Sequence, residues 1–167
     1  PNITVTLADE RWVDSSHCDS NEKLVKENLL TNNASDAKFL PLKNNAITAA
    51  DGINKLESHL AAVEDFTVVI LGMGDDGHIA SIFPNMSNLS EALHHKSSLI
   101  NLNDGYPDVS RLTMTLNEIN KSKQIILLIK GEKKFNLLMD KRSDSELLPV
   151  DHLFIQMIDK IKIFKVL

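Results

Sequence analysis

The chain has 167 residues, 43% of them hydrophobic and 25% charged, enough for one globular domain with a real core and too few for two comfortable ones. Its net charge of −5 argues against a nucleic-acid surface, where a basic stripe is expected, and no apolar run approaches the ~20 residues of a membrane span. A single cysteine, Cys18, excludes an intramolecular disulfide and suits a reducing cytoplasm, and no signal peptide opens the chain.

In chain order, residues 3–7 (ITVTL) read as a strand ending at Ala8-Asp9-Glu10-Arg11. A polar loop, 14–19, leads to a helix over 21–30 with Ser20 as its N-cap. A second helix is predicted over 49–63, where Ile53, Leu56, Leu60 and Val63 recur at helical spacing. The β-branched run 66–70 (FTVVI) reads as a buried strand and is followed by the glycine-rich segment LGMGDDGHIASIFP. Next come a short helix near 91–95, strands at 99–102 and 111–116, and a helical turn at 116–121. Residues 124–129 (QIILLI) form another apolar strand, helices follow at 132–139 and 150–159, and a strand over 162–167 closes the chain. Apolar strands separated by helices imply a three-layer α/β/α domain with a mainly parallel, Rossmann-like sheet covered on both faces. No internal repeat or domain boundary interrupts it, so residues 1–167 are expected to form a single domain.

The segment 72–77 fits G-x-G-x-x-G, yet it puts Asp75 and Asp76 where a dinucleotide's pyrophosphate would lie, so no nucleotide cofactor is expected. Ligands of open α/β sheets collect at the carboxyl ends of strands, and there the turn presents Asp76 and His78. Asp75, Asp76 and His78 lack the ligand number and spacing of a metal centre, and none is expected; His94 and His95 are adjacent, so their rings diverge on a helix.

Four segments in order, ADERWVDSSHCDSNEKLVKENLL, LGMGDDGHIASIFP, SRLTMTL and LLIKGEKKFNLL, resemble the 6-phosphogluconolactonases, a branch of the family that includes glucosamine-6-phosphate deaminases. Two details favour the lactonase branch. After the shared DGHIA, deaminases continue Phe-Asn-Glu-Pro, whereas Ser81-Ile82-Phe83-Pro84 supplies no carboxylate; and Asp9-Glu10-Arg11 stands where deaminases tend to carry Asp-Glu-Tyr. The resemblance implies hydrolysis of 6-phospho-D-glucono-1,5-lactone to 6-phosphogluconate in the oxidative pentose phosphate pathway, in the cytoplasm and without a cofactor. A sugar-phosphate lactone is then the only partner expected, with no nucleic acid and no membrane; oligomeric state is not legible. A deaminase or other sugar-phosphate isomerase, and a degenerate sugar-phosphate-binding domain, are the alternatives. Family members usually begin with a further βα unit carrying a Ser-Gly-Gly phosphate loop, a tripeptide that does not occur here, and the chain opens at Pro1 without methionine. An N-terminally shortened domain is therefore expected.

Lactone hydrolysis needs an activated water, a stabilised oxyanion and a protonated leaving oxygen. An imidazole titrating near neutrality can move that proton, which makes His78 the candidate base and Asp76 its orienting partner. Backbone N–H groups of the turn bearing Gly72, Gly74 and Gly77 are candidate oxyanion donors. Asp9 and Arg11 are candidate substrate contacts. Arg111 and Lys134 match the family's phosphate-binding positions, with Lys133 as the rival to Lys134. Each has a plainer reading: Asp76 as a helix cap, His78 as a structural histidine, Asp9 as a strand-end cap or partner of Arg11, and the basic residues as solvated charges. Ser81 lacks a nucleophile-elbow setting.

Overall fold

A computed structural model describes residues 3–63, 65–103 and 109–166. Strand β1 (Thr4–Thr6) runs into a second short strand, β2 (Asp9–Arg11), and helix α1 (Asn21–Asn28) follows with Ser20 capping it as expected. Strand β3 (Lys38–Leu40) precedes helix α2 (Ala49–Ala61), which is capped by the Thr48 side chain and buries Leu56 and Leu60. Strand β4 (Val69–Gly72) carries the glycine-rich turn at its carboxyl end. Helix α3 (Leu89–His94), strands β5 (Leu99–Leu102) and β6 (Arg111–Met114), and helix α4 (Leu116–Asn120) follow. The last elements are strand β7 (Ile125–Lys130), helix α5 (Glu132–Met139), helix α6 (Pro149–Met157) and strand β8 (Ile161–Val166). Leu167, the end of the strand expected at 162–167, lies outside the described residues. Among the described residues no helix is long and apolar enough to cross a membrane.

The strands form three groups: β1 with β3, β4–β7–β8 in that order, and β2–β6–β5. The first two groups are parallel and the third is antiparallel, so parallel pairing predominates among the described strands. Helix and sheet layers together make the expected mixed α/β architecture. Two departures from expectation have clear causes. The run at 66–70 enters the sheet late, because pairing with β7 begins at Val69 opposite Ile125. Strands β2 and β3 emerge only in the structure, because three residues carry no readable period.

The core joins Leu7 from the end of β1 to Leu71 of β4, Leu127 and Ile129 of β7, Leu112 and Met114 of β6, and Leu153 of α6. Although β7 is apolar over most of its length, only alternate residues are buried: Ile125, Leu127 and Ile129 face the core, while Leu128 is 42% exposed. Ile70 on β4 and Phe164 and Val166 on β8 are likewise exposed, so one face of the β4–β7–β8 group carries apolar residues that no described residue covers. The continuous apolar reading of these strands thus corresponds to burial on one face among the described residues.

Candidate active site

The glycine turn is built around one tight crossing. Gly74 donates its N–H to the His78 carbonyl at 2.9 Å, and Gly77 donates to the Gly74 carbonyl at 3.2 Å. A Cβ on Gly74 would stand 2.1 Å from His78 Nδ1 and 2.6 Å from Asp76 Oδ1, so only glycine admits this side-chain pair. Gly77 has φ +81°, the left-handed region, and a Cβ there would meet Leu148 at 2.6 Å. These bonds commit the Gly74 and Gly77 N–H groups inside the turn, and Gly72, Met73 and Gly74 line the cavity described below, whereas Gly77 does not.

Asp76 Oδ1 accepts from the His78 ring at Nδ1, 2.7 Å away, and from the His78 backbone N–H at 3.2 Å. Partial burial works to raise the Asp76 carboxyl, but the hydrogen bonds and charge of His78 outweigh it and hold the group below its ordinary value of 3.8. An ionised carboxylate accepts only, so Nδ1 carries the proton and the neutral ring keeps Nε2 as its base. Asp76 therefore supports the pair above its ordinary titration range, and this support is lost as pH falls through its lowered value. We expect ring-nitrogen NMR to report one dominant tautomer of neutral His78 in wild type and a mixture in Asp76→Asn. Phe83 packs on the imidazole with ring centroids 4.5 Å apart, a second constraint on its orientation.

His78 lines a cavity of about 330 Å³ at the carboxyl ends of β1 and β4, a volume suited to a small molecule. Asp9, Arg11, Asn21, Lys134 and the Gly72–Gly74 backbone form other parts of its wall. The three residues of β2 divide their work. Asp9 faces the cavity, with Oδ2 accepting from Ser81 Oγ at 2.6 Å and Oδ1 from Asn21 Nδ2 at 3.3 Å. Glu10, only 1% exposed, accepts from the backbone N–H groups of Asn21 and Glu22, each at 2.7 Å, and from Ser20 Oγ at 3.1 Å. Its carboxylate thus closes the N-terminus of α1, a role the sequence did not disclose. Arg11 donates through Nη1 to Asn21 Oδ1 at 2.8 Å and to the Asp19 carbonyl at 3.2 Å, while its buried Nε has no hydrogen-bond partner among the described residues. A buried donor left open beside a cavity is a ready contact for an acceptor on a ligand.

Lys134 sits in the first turn of α5, donates to the Met73 carbonyl at 2.8 Å and lies 3.5 Å from Asp75. Its neighbour Lys133 also meets Asp75, at 3.4 Å, but its side chain is 79% exposed and does not line the cavity. Arg111 is placed differently. It is 1% exposed, stacks against Phe83 with Cζ 5.5 Å from the ring centroid, and donates to the Val109 carbonyl at 2.8 Å. The structure therefore brings His78, Asp76, Asp9, Arg11 and Lys134 together, and Arg111 adjoins them through Phe83, whose ring also packs on His78. Asp75 turns to the lysines and Asp76 to His78, so the acidic pair is divided between two partners.

Fold and site define an α/β domain with a carboxylate–imidazole pair and two cations around a small-molecule cavity at the carboxyl ends of parallel strands. The chain belongs to the family of glucosamine-6-phosphate isomerases/6-phosphogluconolactonase, whose model matches residues 1–159. It is 38% identical over 140 residues to a 6-phosphogluconolactonase of Caulobacter vibrioides, covering 81% of this chain and 60% of that protein. With the 6-phosphogluconolactonase of Pseudomonas aeruginosa it shares 39% identity over 139 residues, covering 81% and 58% respectively. It thus spans about 60% of the length of these curated relatives. A crystal structure of a 6-phosphogluconolactonase from Shewanella baltica superposes with a TM-score of 0.89 at 36% identity, covering 97% of this chain and 71% of the other. A monomeric glucosamine-6-phosphate deaminase, 20% identical with a TM-score of 0.75, shares the fold.

Proposed function

We propose that this chain carries the catalytic centre of a 6-phosphogluconolactonase, a cytoplasmic enzyme that hydrolyses 6-phospho-D-glucono-1,5-lactone to 6-phospho-D-gluconate in the oxidative pentose phosphate pathway. The observation that carries this reading is the Asp76–His78 pair on the wall of a cavity that also holds Arg11 and Lys134. His78 Nε2 takes a proton from water as the oxygen attacks the lactone carbonyl, and Asp76 steadies the imidazolium that forms. The carbonyl electrons move onto oxygen, where Arg11 supplies positive charge. When the tetrahedral centre collapses, the ring C–O bond breaks and the imidazolium returns its proton to the leaving oxygen. Lys134 holds the phosphate, away from the reacting carbon. The chemistry calls for no metal or cofactor. The position that holds glutamate in the resembling deaminases holds Phe83 here, packed on His78, which favours hydrolysis over isomerisation.

The same reading has polypeptide preceding Pro1 complete the domain. Among the described residues β1 pairs only with β3 and β4 only with β7, and the cavity lies where their carboxyl ends converge. A doubly wound sheet runs 3-2-1-4-5-6, and the order β3-β1, then β4-β7-β8, fits that series with its first strand left out. The exposed apolar face of Ile70, Leu128 and Phe164 is the surface such a segment would cover.

Lys134→Met in the full-length protein should weaken binding of the phosphorylated lactone by roughly ten- to hundredfold, the value of a charge-assisted contact, and leave hydrolysis of unphosphorylated gluconolactone unchanged. Lys133→Met should alter neither. Steady-state kinetics on the two lactones checks this. Equal rates on both substrates, insensitive to Lys134, would remove the sugar-phosphate assignment, and binding of 6-phosphogluconate without turnover would support the degenerate alternative.

A further inference from the structure

We propose that Ser81 is a positioning residue, which holds the Asp9 carboxylate so that it accepts hydrogen bonds from the ring hydroxyls of a sugar lactone. The inference rests on the lactonase reading and adds a determinant of selectivity for a polyhydroxylated ring. Ser81 is 1% exposed, and its hydroxyl proton is spent on Asp9 Oδ2 at 2.6 Å, across 72 positions of sequence. That geometry withdraws Ser81 from any nucleophilic role and makes it a strut.

The strut is anchored by the backbone. Ser81 lies in a tight turn closed by the Ile82 N–H on the Ile79 carbonyl at 2.9 Å, with its own N–H directed at Thr113 Oγ1, 3.4 Å away on β6. Ala80, immediately before it, has φ +46°, a left-handed conformation that alanine rarely adopts. Such a conformation persists where surrounding contacts over-determine it, and here it turns Ser81 toward Asp9. Asp9 is held from the opposite side by Asn21 Nδ2, which also donates to the Asp9 backbone carbonyl at 2.9 Å. Among the described residues Asp9 makes no ion pair: the Nη1 of nearby Arg11 is engaged by Asn21 and Asp19 instead. A carboxylate offers about four acceptor sites, and these two side-chain bonds leave the others for hydroxyl donors in the cavity that Asp9 lines.

The test is a double-mutant cycle in the full-length protein with Ser81→Ala, Asp9→Asn and the pair. Its readouts are KM and kcat for 6-phosphogluconolactone and calorimetric binding of 6-phosphogluconate. Ser81→Ala should raise KM and the product Kd about tenfold, with kcat within about twofold of wild type. In the Asp9→Asn background the same change should have no further effect on either constant, because Ser81 acts through Asp9. A purely structural role would instead give additive losses. Unchanged KM and Kd in Ser81→Ala, or additive effects in the pair, overturn the proposal while a working wild type leaves the lactonase reading standing. A wild type that neither turns over the lactone nor binds the product overturns both.

Discussion

Replacing His78 by alanine is expected to lower turnover of the phosphorylated lactone by roughly 10²- to 10⁴-fold, the weight of a lost general base, in the full-length protein. The fold should persist, because the ring is partly exposed and its polar partner is Asp76, itself partly exposed in the same turn. Alanine also removes the Phe83 ring contact, a local loss that leaves the buried Ile79 and Ile82 in place. The decisive measurement is the rate above spontaneous lactone hydrolysis, with circular dichroism to confirm folding. A folded variant that works at the wild-type rate means that another group activates the water.

Glu10→Ala should be the most damaging single change to stability around the site. Glu10 sends one carboxylate into four donors: the N–H groups of Arg11, Asn21 and Glu22 and the hydroxyl of Ser20. Truncation leaves the first turn of α1 without its acceptor in a buried place, at a cost of about 3 kcal/mol or more. For a domain of this size that corresponds to a fall in Tm of about 6 °C or more. Thermal melts of Glu10→Ala and Glu10→Gln separate the two contributions, since glutamine keeps one acceptor oxygen and loses the charge. A Tm within about 1 °C of wild type in the alanine variant would show that α1 does not depend on this cap.

Glu10 also illustrates the limit of reading a motif. In the sequence Asp9-Glu10-Arg11 is a run of three charged residues, and Asp9 and Arg11 stand out through a family resemblance. Only the strand pairing of β2 with β6 sends neighbouring side chains to opposite faces, so that Asp9 meets the cavity while Glu10 meets the helix end. Arg111 teaches the same lesson in reverse. It opens β6 opposite Arg11 and matches a phosphate-binding position of the resembling family, yet only the structure shows that it is buried with its guanidinium against the Phe83 ring. Residue type does not report depth below the surface.

The mixed α/β alternation, the Ser20 cap, the span of α5 and the local pair Asp76–His78 are all legible in the amino-acid order. These depend on contacts within a few residues: a helix period, a side chain reaching the next turn, a glycine without a Cβ between two interacting groups. Three other outcomes emerge only from long-range packing: which lysine reaches the cavity, how Ser81 on one turn braces Asp9 on another strand, and why one face of the β4–β7–β8 group stays uncovered by the described residues. They turn on register between distant segments and on the direction of alternate side chains. A shift of one residue in strand pairing reverses every face, and nothing in a local pattern records that choice.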